Sequence, residues 1–164
     1  MREGVGADAV RVRREHSFTP DALALIAQLD AELLARYPEE GARHFRLSPD
    51  EIAAGRGVLL VVELAGEAVA CGALRLIDGR TAEIKRMFVR SSARGRGIAA
   101  RLLRELLGEA GLLQATRVVL ETGARLHEAM RMYEGAGFSP IPAYGDYIDS
   151  PLSVCMAKDI VPAR

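Results

Sequence analysis

The stretch Ala82-Glu-Ile-Lys-Arg-Met-Phe-Val-Arg-Ser-Ser-Ala-Arg-Gly-Arg-Gly-Ile-Ala-Ala-Arg101 decides the fold. It reads as a strand over Glu83 to Val89, a glycine-rich loop over Arg90 to Gly97, and the start of a helix. From there Ile98, Leu102, Leu103, Leu106, Leu107 and Ala110 recur at the spacing of an amphipathic helix. Gly95 and Gly97 allow the backbone to turn sharply and approach a ligand with no Cβ in the way. The first amides of the helix then point outward at the positive end of its dipole. Arg94 and Arg96 add mobile positive charge beside them. Together these parts predict an anion site, most naturally for phosphate or pyrophosphate.

Outside this stretch the composition is that of a folding chain. Of its 164 residues, 49% are hydrophobic and 27% charged, which predicts one domain over 1–164 with a core spanning about 9–160. Lys+Arg and Asp+Glu both number 22, which argues against nucleic acid as a partner. Cys71 and Cys155 lie in apolar runs with no metal-ligand spacing, and no pair of histidines has it either, so no metal is expected. The N-terminal residues hold no apolar run and nothing approaches the length of a membrane span, which predicts a cytoplasmic protein with no membrane partner.

Along the chain, Val10 and Val12 alternate with Arg11 and Arg13 in a first strand with one polar face. Thr19-Pro20 caps a helix that Pro38 stops near Arg36, and Ser48-Pro-Asp-Glu51 has the signature of a second, short one. Strands follow at Val58 to Leu64, Ala68 to Ile77 and Thr81 to Val89, joined by turns at Ala65-Gly66 and Asp78-Gly79. After the loop helix comes a strand at Arg117 to Glu121, reached by a crossover that implies a locally parallel pair. A helix over Leu126 to Glu134 and strands at Phe138 to Ile141 and Leu152 to Ala157 close the chain. The expectation is a mixed, mostly antiparallel twisted α+β sheet of about seven strands flanked by about four helices. An exposed terminal strand would offer a surface for a homodimer.

The glycine loop lacks the lysine–hydroxyl pair of a P-loop. Gly95-x-Gly97-x-x-Ala100 does satisfy a dinucleotide fingerprint, with Glu121 downstream for a ribose. Against an NAD(P) reading, the preceding strand carries Glu83, Lys85 and Arg86, whereas a central Rossmann strand is almost wholly apolar.

Arg94-x-x-Gly97-x-Ala99 resembles the pyrophosphate loop [QR]-x-x-G-x-[GA] of the GNAT superfamily of acyl-CoA-dependent N-acetyltransferases. Ala129-x-x-x-Tyr133-Glu-x-x-Gly137-Phe138 resembles that family's later A-x-x-x-Y-[EQ]-x-x-G-F signature, and the element order agrees from about residue 9 onward. The resemblance implies a GNAT-like sheet splayed at its central parallel pair, with acetyl-CoA as cosubstrate. It implies cofactor contacts from Met87, Phe88 and Val89 by main chain and from Arg94, Gly95, Arg96, Gly97, Ile98, Ala99 and Tyr133. The implied activity is acetyl transfer to a primary amine of a small molecule, amino acid or peptide. A non-catalytic CoA-binding module on the same fold is the alternative.

Such chemistry needs a deprotonated amine, a polarised carbonyl and a stabilised leaving thiolate. Tyr133 is the candidate general acid, or else a ring packed on the sheet. Glu83, eleven residues before Arg94, is where members of that family that use a strand glutamate carry it. It is either the general base, with ordered water as its rival, or a salt-bridge partner of Lys85. Glu121, Tyr144 and Tyr147 are candidate substrate-binding residues. Arg43 and Arg46 could meet a carboxylate and Asp146 and Asp149 an amine, or both loops are merely solvated. Two departures from the family pattern are Leu126, where an asparagine is common, and Gln114, where the crossover helix often ends in glycine.

Overall fold

The computed structural model describes residues 9–39 and 47–164. Seven strands form one sheet in the order β1-β2-β3-β4-β5-β7-β6. They are β1 (Val10–Glu15), β2 (Gly57–Leu64), β3 (Glu67–Leu76), β4 (Thr81–Val89), β5 (Arg117–Gly123), β6 (Ser139–Ile141) and β7 (Ser153–Asp159). The helices are α1 (Pro20–Arg36), α2 (Ile98–Leu112) and α3 (His127–Gly135). Every strand pairing is antiparallel except β4 with β5. A Rossmann sheet, which is mostly parallel, is therefore not what this chain builds.

The expected second helix is a correction: Pro49–Ile52 makes a single turn of 3-10 helix, so the helices number three rather than four among the described residues. Its Ser48 and Glu51 do form the capping box, but Ala53 leaves helical geometry at ψ 152° before an α-helix can propagate. The last strand, β7, lies between β5 and β6, and the sheet's free edges are β1 and β6. Of the two terminal strands, β1 is therefore an edge and β7 is not.

β2 shows why the sheet is covered on both sides. Val58, Leu60 and Val62 face one core with α2, while Leu59 and Val61 face a second with α1. A strand so buried reads as a continuous apolar run. The expected inner face of α2 is confirmed: Ile98, Leu102, Leu103, Leu106 and Ala110 are all buried. Gly72 on β3 lets that helix come close, since a Cβ there would lie 2.9 Å from Leu106. At the far end of α2, Gln114 adopts φ +64° where a glycine would be unstrained, and its side-chain amide donates to Ala163 O at 2.9 Å. No helix among the described residues is long and apolar enough to cross a membrane.

The feature that shapes the site is in β4. Cys71 pairs with Phe88 and Ala73 with Lys85, so Arg86 and Met87 together face the single residue Gly72. Arg86 has φ +57°, a conformation that costs a non-glycine residue about 1–3 kcal/mol. This bulge reverses the alternation: Ile84 and then Met87 and Val89 pack with α2 and α3, while Phe88 packs with α1. The Arg86 side chain is buried and paired to Asp30 of α1 at 2.5 Å. Replacing Asp30 by alanine removes the carboxylate paired with this buried cation. Urea unfolding is expected to show a loss of about 1–3 kcal/mol, the lower end reflecting the partial exposure of Asp30. Wild-type stability would mean that the pair does not hold the bulge.

Candidate active site

Parallel pairing of β4 with β5 runs from Thr81↔Arg117 to Ile84↔Leu120 and stops there. Beyond it the strands part, and two clefts meet at the opening. The first runs along Met87, Phe88 and Val89 of β4, past Arg94, Gly95, Gly97, Ile98 and Ala99, with Glu128, Ala129, Met132 and Tyr133 of α3 opposite. The second is walled by Leu29, Leu33 and Tyr37 on the α1 side and Leu126 and Leu152 on the other. Its floor holds Lys85, Arg86, Glu121 and Thr122, with Tyr147 alongside. Met87, Ala129 and Tyr133 belong to both clefts.

In the first cleft Gly95 and Gly97 have φ +79° and +76°, with nothing within 4 Å of where a Cβ would stand. Gly97 caps α2 without a side chain, so the first amides of a fifteen-residue helix face the cleft unscreened. The geometry suits a pyrophosphate, and the main chain of Met87 to Val89, past the end of pairing with β5, suits an extended amide-bearing arm. The ring of Phe88 itself is turned into the α1 core. Arg94 lies over that ring, donates from Nε to Val89 O at 2.9 Å, and grips both oxygens of Glu32 at 2.9 and 2.7 Å. Arg96 is exposed on the loop and does not line the cleft.

Tyr133 is buried, its ring edge-on to Phe138. Its hydroxyl points at Met87 Sδ at 3.6 Å. Burial holds that phenol well above its ordinary range, and the charge of Glu121 pushes the same way. Glu83 is fully buried. Its Oε1 accepts from Arg75 Nε at 2.8 Å and its Oε2 from the Tyr144 hydroxyl at 2.5 Å. Tyr147 also hydrogen-bonds this carboxylate, and burial followed by the Glu83 charge raises both tyrosines. Glu83 does not itself line the second cleft; Tyr147 does. Lys85 is lowered by burial, against which Glu83 acts.

The sequence-derived candidates therefore converge, with some changes of place. Tyr133 and Glu121 stand at the junction, Tyr147 in the second cleft, and Tyr144 behind it on Glu83. Asp146 and Asp149 are exposed, and Arg43 and Arg46 lie outside the described residues. Leu126 precedes α3 without a side-chain cap and adds an apolar wall where an asparagine would have added a polar one. Arg75, Asp30 and Glu32 were not foreseen. Arg75 had a signal, since it and Glu83 are equidistant from Gly79 in a tight hairpin.

Residues 23–138 match the Acetyltransferase (GNAT) family. This chain belongs to that family. An IAA acetyltransferase from Azospirillum brasilense is 34% identical over 152 residues, covering 92% of this chain and 98% of that one. Among solved structures, a Klebsiella pneumoniae protein assigned as an acyl-CoA N-acyltransferase superposes with a TM-score of 0.76 at 28% identity, over 92% of this chain and 97% of that one. A GNAT family acetyltransferase from Elizabethkingia anophelis with acetyl-CoA bound shares the fold, with a TM-score of 0.66 at 18% identity over 92% and 98%.

Valine at position 97 would force a β-branched residue into positive φ and place methyl groups where the glycine loop is open. The expected outcome for Gly97→Val is at least about ten-fold weaker acetyl-CoA binding by titration calorimetry. Unchanged affinity would remove the loop from the CoA site.

Proposed function

We propose that this protein transfers the acetyl group of acetyl-CoA to a primary amine of a small molecule, an amino acid or a peptide. One observation carries the reading: a pyrophosphate-type cleft on the α2–α3 face and an acceptor cleft reaching the α1 face share Tyr133 at the only parallel junction of the sheet. The family supports the acetyl donor, and the acetyl-CoA-bound structural neighbour is consistent with it. When bound, acetyl-CoA supplies an activated carbonyl and a thiolate leaving group.

The residues divide the remaining work. The α2 amides and the glycine loop hold the diphosphate, and the β4 main chain past the bulge orients the arm. Arg94 joins them by exchanging one oxygen of Glu32 for a phosphate oxygen. Glu121 at the junction holds the incoming ammonium. Tyr147 spans from the acceptor cleft to Glu83, so the amine proton passes through its hydroxyl to the buried carboxylate. Tyr133 trades its weak Met87 acceptor for the leaving sulfur. Its raised pKa keeps it a donor at every working pH. The same shift makes it a weaker acid than a phenol at ~10, so its contribution is weighted toward hydrogen-bonding the thiolate.

Tyr133→Phe is expected to lower kcat by about a hundred-fold with little change in acetyl-CoA affinity. In the wild type, steady-state rates should show no alkaline fall from this group below the ordinary phenol value of ~10. Unchanged kcat in the variant would remove Tyr133 from the chemistry. Tyr147→Phe should lower kcat/KM for the amine about as much as Glu83→Gln, and the double variant little further. Additive losses would show that the two groups act separately.

A further inference from the structure

The geometry points to Tyr37 as the residue that limits how long an acceptor the second cleft takes. This rests on the reading that the cleft receives an amine for acetylation, and it assigns the wall that stops the acceptor's arm. Tyr37 is the C-cap of α1, and Pro38 behind it ends the helix. Leu29, Leu33 and Tyr37 recur every fourth residue, so they form one row of α1, and all three line the cleft. The last of the row is the largest, and it is buried. Across the cleft, Glu121 and Gly123 are alternate residues of β5 and share a face. A Cβ at position 123 would lie 2.1 Å from the Tyr37 hydroxyl oxygen and 2.5 Å from its Cζ. Gly123 has no positive φ, so close approach alone calls for glycine there. The α1 wall and the β5 wall therefore touch at this point, and the floor of the cleft goes no further along the strand.

The contact is held from behind. The main-chain amide of Arg125, in the turn between β5 and α3, donates to the Tyr37 hydroxyl at 2.8 Å. Its guanidinium lies 5.0 Å from the centroid of the Tyr37 ring. The same group donates to Arg36 O at 2.6 Å and to Glu39 Oε1 at 2.5 Å. Tyr37 is thus fixed at its ring, at its hydroxyl and through the chain on either side of it. Swinging it aside to admit a longer arm would break these contacts together. Arg125 is a positioning residue that acts on the acceptor through Tyr37.

Free-thiol release from acetyl-CoA tests the assignment with two straight-chain series, 1-aminoalkanes from propylamine to decylamine and 2-aminoalkanoic acids over the same lengths. In the wild type kcat/KM is expected to climb about two- to four-fold per added methylene while the arm fits. It should then fall at least about ten-fold once the arm meets the ring. Tyr37→Ala should move that fall to longer arms and raise the ratio of longest to shortest acceptor at least about ten-fold. Tyr37→Phe keeps the ring and should leave the fall where it is. A thermal shift with acetyl-CoA checks that each variant is folded, and Tyr37→Leu takes the place of Tyr37→Ala if the latter is not. No fall in the wild type, or a fall at the same length in the truncated variant, overturns this inference alone. Thiol release with no member of either series overturns the acetyl-transfer reading and this inference with it.

Discussion

The structure depends on the break in β4. Two residues, Arg86 and Met87, occupy the width of one on the neighbouring strand, and the strand changes faces there. Without that change Met87 and Val89 would not lie along the first cleft, and pairing with β5 would have no reason to end at Leu120. A parallel pair that continued would bury its backbone polar groups in each other. Because it stops, those groups are left facing a cleft that opens to both sides of the sheet. Strain at Arg86 is held by a charge: its guanidinium reaches from the strand to Asp30 on α1, so the helix that walls the second cleft also fixes the bulge.

The second organising element is electrostatic. α1 contributes a second acid, Glu32, which grips Arg94 of the glycine loop. One helix is therefore tied to both the bulge and the anion loop, and the two clefts are mechanically connected through it. Beneath them, Glu83 is charged ground inside the sheet, with Arg75 on one oxygen and Tyr144 on the other. A buried carboxylate persists only when its oxygens are so engaged. Arg75 also pairs with Glu51 from the 3-10 turn, which ties that short segment to the open end of the β2–β3 pair. Tyr147 is the link between this enclosed network and the open cleft.

Much of this was legible in the residues. The cap at Thr19, the Asp78-Gly79 turn and the helical period after Gly97 each have local causes, and each element stands where those causes put it. Glycine spacing and the Tyr133 signature located the clefts because both are contiguous in sequence. What was missed is non-local. Asp30 and Glu32 meet Arg86 and Arg94 from 56 and 62 residues away, and no periodicity links such pairs. The parallel register that sets Lys85 beside Glu121 is fixed across a whole crossover helix. The bulge did leave a trace: Arg86 follows Lys85 directly and breaks the polar–apolar alternation that runs from Thr81 to Lys85. The overestimate of one helix came from a correct cap followed by too little chain.

If the glycine loop and the parted strands form an acyl-CoA site, thermal unfolding of the purified protein with CoA, acetyl-CoA and NAD(P) in parallel will reveal it. The midpoint should rise with both CoA and acetyl-CoA, further with increasing concentration, and stay put with NAD(P). Stabilisation by NAD(P) alone, or by none of the three, would contradict it.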